Sequence, residues 1–379
     1  MVRWMQVGLI RGLAGWAKAQ RARPRRALAP CPCGLSDPRQ TAIRASTPVF
    51  DGRWARFALS TLRAATCVAV SGWAASASAE DYPSRSITLV VPYAAGGGND
   101  VMARVVSEKM SRTLGQQIVV ENRAGAGGSN ATRQVARSVP DGYTLVIGGT
   151  GTLGVNPTLY NNVGYDPRKD FAPVGLIGTS ALVVLINPTV QARSIGELIA
   201  LAKSAPGKLN YASAGVGSGI HLGTVLFEQM ADIKLTHVPY RGSAPALTDL
   251  MGGHVAIYFS SLPPAIGLAR DGKVRALAVT GSKRSDAFPD LPTVAEAGLP
   301  GYESVLHYGI VAPAGTPRPI IDKLNAALRD ALDAADTKQR MATDGTEPLP
   351  STPDQYAADV DREETKWSAI VKTSGARAE

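Results

Sequence analysis

The chain has 379 residues, room for roughly two domains, and carries 40 Lys and Arg against 31 Asp and Glu, a formal charge of +9. The excess is local: residues 1–79 hold 12 basic and 2 acidic side chains, which leaves 28 basic and 29 acidic, so nothing argues for nucleic-acid binding by the folded part. The three cysteines, Cys31, Cys33 and Cys67, lie in the same leader, which excludes an intrachain disulfide or a thiolate metal site after Glu80.

In the leader, Arg53, Arg56 and Arg63 precede a short apolar stretch, 64–75, and then Ser76-Ala77-Ser78-Ala79. A positive flank, an apolar core and an Ala-x-Ala end predict a secretory signal peptide over 53–79, cleaved after Ala79. The apolar core is too short to span a bilayer. Thr66-Cys67 lacks the small residues and leucine that precede a lipid-modified cysteine. Residues 1–52 are rich in Arg, Pro and Ala and are expected to be a disordered extension or a start assigned too far upstream.

The mature part opens on Ile87-Thr-Leu-Val-Val91, a β-branched run that predicts one buried strand. Pro92 ends its pairing and three glycines follow. Asn99 or Asp100 is expected to cap a helix from Val101, whose apolar positions Val101, Met102, Val105, Val106 and Met110 recur at helical spacing. Strand, glycine loop and helix N-terminus together would offer an anion bare N–H donors and the positive end of a helix dipole. An ordinary tight strand–helix turn would read the same way.

Residues 117–121 predict a second strand, 122–128 a second glycine loop and 129–137 a helix; 143–147 is a third strand after the turn at Pro140-Asp141-Gly142. Strands alternating with helices imply parallel pairing, with the loops at strand C-termini gathered on one ligand-binding edge. Gly149-Thr-Gly-Thr-Leu-Gly154 has G-x-G-x-x-G spacing, but Asn156-Pro157 follows at once. It is therefore read as a loop on that edge rather than as a dinucleotide site.

Strands are expected over 171–177 and 182–186. A helix over 195–204 is capped by Ser194, with Glu197 completing a capping box. A strand over 209–213 leads into Ala214-Gly-Val-Gly-Ser-Gly-Ile-His221 and a helix to Met230, which repeats the opening design. Short strands follow at 236–238, 255–259 and 274–280, with Tyr240-Arg241 behind the first and Ser260-Ser261 at the end of the second; a helix spans 244–251. A late strand over 309–313, a helix from Thr316 or Pro317 to Asp333, and a charged helix over 353–371 with Trp367 turned inward complete the chain. Two sets of βα units predict two similar lobes facing one another.

Few residues can do covalent or acid–base work. His221, His237, His254 and His307 are widely spaced and form no H-x-x-x-H pair, so no metal site is expected. No Walker lysine follows any glycine loop, which disfavours nucleotide phosphates. Ser218 and His221 share a turn, but Gly217-Ser-Gly219 is not a nucleophile elbow, and His221 also reads as a helix-start residue bonding locally. Tyr240-Arg241 is a ligand clamp or a surface pair. The inventory of N–H donors and hydroxyls fits binding an anion better than transforming one.

These residues resemble, over nearly the whole mature chain, the Bug family of periplasmic receptors of tripartite tricarboxylate transporters. The resemblance rests on Pro92-Tyr-Ala-Ala-Gly-Gly-Gly-Asn-Asp100, Val120-Glu-Asn-Arg-Ala-Gly-Ala-Gly-Gly128, Pro140-Asp-Gly-Tyr-Thr-Leu145, His237-Val-Pro-Tyr-Arg-Gly242, Leu291-Pro-Thr-Val-Ala-Glu-Ala-Gly298 and Ala312-Pro-Ala-Gly-Thr-Pro317, in one order. It implies an α/β fold of the type II periplasmic binding protein class, two α/β lobes with a ligand cleft between them. Lobe 1 would be 80–180 with 308–379, and lobe 2 would be 181–307.

The ligand implied is a small carboxylate, a di- or tricarboxylate or an aromatic acid, with no cofactor. The implied partners are transporter membrane subunits, not nucleic acid, and the protein would be a monomer in the periplasm. The ligand-binding positions implied are Tyr93, Ala94, Ala95, Gly96, Gly97 and Asp100; Thr150 and Thr152; Ser213, Gly215, Gly217, Ser218 and His221; Tyr240 and Gly242; and Ser260. Relatives carry Asp near the strand at 255–259, where this chain has Ala256 and Ser260, which argues against an acidic amino acid as ligand. His307-Tyr308 replaces the Trp-containing pattern common before Gly309, in a wall of the cleft. Two other readings stay open: a sensor presenting a ligand to a two-component system, and a serine hydrolase using Ser218 or Ser213.

Overall fold

The computed structural model describes residues 82–374 and 376–378. The signal peptide, its cleavage after Ala79 and the extension over 1–52 lie outside the described residues. Among these, ten strands form one mixed sheet. β1 (Ile87–Val91) lies between β2 (Ile118–Asn122) and β3 (Thr144–Gly149), both parallel to it. This is the pairing that helices α1 (Gly98–Leu114) and α2 (Ser129–Ala136) require as crossovers. A second parallel set, reached through α4 (Ile195–Ser204), holds β5 (Asn210–Ser213) between β6 (Thr236–Pro239) and β7 (Ile257–Ser261), linked by α5 (Gly219–Ala231) and α6 (Ser243–Met251).

The two sets are joined by β4 (Phe171–Ile186), whose first part pairs with β9 (Val305–Pro313) and β10 (Thr346–Pro348). Its last part pairs with β7 and β8 (Arg275–Val279). The sequence predicts two strands here, 171–177 and 182–186. Gly178 instead continues one strand of 16 residues: a Cβ there would lie 2.3 Å from the Glu347 carbonyl, so glycine is what lets β10 approach.

Two other local readings change. The cap of α1 is Gly97, not Asn99 or Asp100; Asp100 sits in the first turn, where its carboxylate accepts the Gly96 N–H at 2.9 Å. The glycines after β3 form not an open loop but a π-helical turn, Thr150–Val155, continued by the one-turn α3 (Asn156–Leu159). Such widened turns are rare and frequent at functional sites. Pro263-Pro264 start a helix, α7 (Leu262–Arg270), their fixed φ and missing N–H suiting its first turn.

The C-terminal part adds α8 (Arg318–Asp333), α9 (Ala335–Thr343) and α10 (Pro353–Ser374). Met102, Val106 and Met110 of α1 pack on Ile87, Leu89 and Val91, all fully buried. Each contributes about 1.5–3 kcal/mol by leaving water. Trp367 of α10 is fully buried against Val155, Leu159 and Leu222, and its indole N–H donates to Glu363 at 3.0 Å. The C-terminal helix thus reaches the π-turn and α5.

Candidate functional site

Four helices begin at one cavity. α1 starts at Gly98, α5 at Gly219, α6 at Ser243, and α7 follows Ser261; all four residues line it. A strand that ends in glycine or serine turns its chain sharply there, so each helix starts with unpaired N–H groups. Tyr93, Thr150, Thr152, Leu306, His307 and Tyr308 complete the walls. Gly98 is required by close approach: a Cβ would lie 2.5 Å from the Tyr308 hydroxyl.

Two hydroxyls here lack partners. Ser261 and Tyr308 are each 1% exposed, and neither Oγ nor Oη makes a hydrogen bond. A buried, unpaired hydroxyl costs about 1–3 kcal/mol, so such groups are ordinarily satisfied by something that occupies the space. Among the described residues, no lysine or arginine lines these walls. His307 is the one candidate cation, and carboxylates stand behind it. Its Nδ1 lies 2.8 Å from Asp359, and its Nε2 lies 3.7 Å from Glu363. Burial pulls the pKa of His307 down, but the hydrogen bond to Asp359 and the charges of Glu363 and Asp359 outweigh it, so the net shift is upward. The Glu363 carboxylate also accepts from the Thr150 hydroxyl at 3.3 Å, and Thr150 in turn accepts the His307 N–H at 3.0 Å.

Of the positions inferred from sequence, Tyr93, Gly97, Thr150, Thr152 and Ser218 line this cavity. The others do not. Gly215 and Tyr240 line a neighbouring hollow instead. Asp100 turns back into the fold, held by Arg104, the Gly96 N–H and Asn122. Burial raises its pKa, but those hydrogen bonds prevail and hold the carboxyl below its usual range. Ala95 and Gly96 face solvent. Ala94 donates its N–H to the Arg241 carbonyl at 3.2 Å, and Gly242 leaves room for that contact, since a Cβ there would meet Ala94. Ser260 is fully buried and donates to the Ser261 carbonyl.

Ser213 and His221 stand behind the second glycine turn. Ser213 Oγ accepts the Gly215 N–H at 3.1 Å and lies 2.6 Å from His237 Nε2. His221 Nδ1 accepts the Gly217 N–H at 3.3 Å. The two imidazoles stack at 4.2 Å, and Tyr211 lies beside both, 4.8 Å from His237 and 6.5 Å from His221. Burial pushes the pKa of His221 to about 3, helped by His237, and that of His237 to about 4, so both are neutral near pH 7. Ser218 caps α5 by accepting the His221 N–H, and its hydroxyl donates to the Gly215 carbonyl. Ser218 therefore has no imidazole aimed at its oxygen. Neither Ser213 nor His237 lines the cavity.

Sequence reasoning set His307 and Tyr308 in a wall of the cleft but missed Asn99, Ser243, Ser261 and Leu306 as wall residues. Ser243 lies one residue past Gly242. The β9 residues arrive through long-range antiparallel pairing, Tyr308 opposite Gly149 and Gly178, which no local pattern announces.

The fold and cleft are those of a periplasmic binding protein, two α/β lobes with a ligand site between them. Residues 102–376 match the tripartite tricarboxylate transporter family receptor. The chain is 38% identical over 311 residues to Protein BugT of Bordetella pertussis, covering 82% of this chain and 95% of that one. The structure of periplasmic binding protein BugD superposes with a TM-score of 0.76 at 37% identity, covering 79% of this chain and 100% of that one. MatC from Rhodopseudomonas palustris with bound malate superposes at 0.74 and 38% identity, covering 76% and 100%. The chain belongs to the Bug family of tripartite tricarboxylate transporter receptors.

Proposed function

We propose that this protein captures a small carboxylate in the periplasm, as a monomer and without chemical turnover, and delivers it to the membrane subunits of a transporter. The observation that carries the reading is the meeting of four helix N-termini with the unpartnered hydroxyls of Ser261 and Tyr308. All are donors or positive dipole ends, and the two hydroxyls lack an acceptor. A carboxylate supplies two acceptor oxygens and a negative charge. The malate bound by MatC, a 38% identical relative, supports the same ligand class here.

Lobe 1 would comprise 80–180 and 308–379 and lobe 2 would comprise 181–307, with closure as the state a partner reads. Each helix terminus contributes about 0.3–1 kcal/mol when exposed and up to ~2 when partly buried. Hydrogen bonds to a charged acceptor add about 1.5–3 kcal/mol each. After the cost of association, roughly micromolar binding, near −8 kcal/mol, is a reasonable total.

Calorimetric titration of protein starting at Glu80 with malate, succinate, adipate and benzoate tests this. At least one acid binds stoichiometrically and is recovered unchanged. Tyr308→Phe, which keeps the ring and deletes the donor, weakens that acid by roughly tenfold or more. Binding by none of the acids, or an unchanged affinity in Tyr308→Phe, contradicts the reading.

A further inference from the structure

A second space adjoins the inner cavity, and Tyr93 and Ala214 line both. It is an open basin of about 420 Å³. Its floor is bare backbone: Gly125, Gly127 and Gly128 from one side, Gly215 and Val216 from the other. The two sides touch. The Tyr160 hydroxyl donates to the Val216 carbonyl at 2.9 Å, and a Cβ on Gly127 would fall within 1.9 Å of that same carbonyl oxygen.

Its charge differs from that of the inner cavity. Arg241, just past β6, and Arg377, on the C-terminal segment, both line the basin, and no acidic side chain does so among the described residues. Neither arginine is among the ion pairs that the described residues form, although many exposed charges elsewhere on the chain are paired. Asp249, on the helix that follows Arg241, is taken by the Tyr240 hydroxyl and by His254. The C-terminal segment is placed rather than loose: the Ala378 N–H donates to the Leu159 carbonyl at 3.1 Å, Ala378 bridges to Tyr160, and Ala376 and Ala378 pack with Trp367 and Val371. Two guanidinium groups from distant parts of the chain are thereby brought to one glycine-floored hollow. Guanidinium forks match carboxylate geometry, and a hollow lined by one sign of charge concentrates the opposite ion.

We propose that this basin is a second anion subsite, in which Arg241 and the tail residue Arg377 hold the far carboxylate of a ligand whose near carboxylate sits in the inner cavity. The inference rests on the carboxylate reading above and adds to it a specific charge pair and a role for the C-terminal segment. The near group is read by buried donors and contributes most of the affinity. The far group is read by exposed arginines, so its contribution is modest and sensitive to salt.

The test is a matched series: succinate, glutarate and adipate against their monomethyl esters, titrated into wild type, Arg241→Ala, Arg377→Ala and the double variant at about 20 and about 300 mM salt. The wild type is expected to prefer at least one diacid over its ester by about tenfold at low salt, and less at high salt. Each single variant cuts that preference about threefold, the double variant abolishes it, and ester affinity is unchanged throughout. Arg377→Lys retains part of the preference. A diacid-to-ester ratio equal in wild type and double variant overturns the subsite while leaving the carboxylate reading intact. If no acid or ester binds the wild type, the carboxylate reading fails, and the subsite falls with it.

Discussion

The two glycine turns of the cleft do the same work and are held by opposite chemistry. The turn at 93–97 is clipped by a charge: Asp100, an ionised carboxylate kept so by Arg104, Asn122 and the Gly96 N–H. The turn at 214–218 is clipped by neutral groups: His221 accepts the Gly217 N–H, and His237 backs Ser213, which accepts the Gly215 N–H. One local motif is thus compatible with two kinds of support. The support decides how each turn answers acid.

The largest expected effect follows from the histidines. Both folded pKa values lie below the unfolded value of about 6.5, so the unfolded chain binds more protons and stability rises with pH across that range. Their contribution is present above about pH 6.5 and is lost as pH falls toward 4 and 3. A few kcal/mol should disappear between about pH 6.5 and 4.5, at about 1.4 kcal/mol per pK unit. Urea denaturation as a function of pH checks this. His221→Gln, which offers an amide acceptor and does not titrate, should flatten the curve; an equally steep curve in that variant would remove the histidine from the explanation.

The carboxylate clip gives a smaller effect in a different window. Asp100 has its folded pKa below the usual carboxylate range, so its contribution is present above about pH 4 and is lost only as pH falls through the lower folded value. Asp100→Asn keeps an acceptor for the Gly96 N–H but forfeits the pairing with a half-exposed Arg104. A cost of about 1–2 kcal/mol is expected, level from about pH 5 to 8 and vanishing in strong acid. The comparison also requires the two clips to be independent. The Asp100→Asn protein should therefore keep the wild-type loss between about pH 6.5 and 4.5, and a flattened curve in that variant would show that the clips are coupled.

Much of this is legible in the sequence alone. The parallel βα units follow from β-branched runs, glycine turns and helical spacing, and the cap of α4 from Ser194, whose hydroxyl accepts the Glu197 N–H at 3.1 Å. The family follows from motifs in order. Other features depend on contacts across the chain. The gap left at 178–181 between two predicted strands closes only when β9 and β10 pair across it. Asp100 reads as a cap until Arg104 and Asn122 turn it inward. Ser261 and Tyr308 carry no local signal, because a hydroxyl becomes informative only when burial leaves it unpaired. Ser213 and His221 read as ligand positions in the sequence, and their geometry instead supports the turn from behind.

The central claim is that helix N-termini and buried hydroxyls, without a free cation, hold the near carboxylate. A structure determined with the tightest acid of the series tests it most directly. The account predicts a carboxylate in the cavity between Gly98 and Gly219, about 3 Å from backbone N–H groups and from Ser261 Oγ or Tyr308 Oη. A carboxylate bound outside that cavity, or one held inside it chiefly by an arginine or lysine side chain, would contradict it.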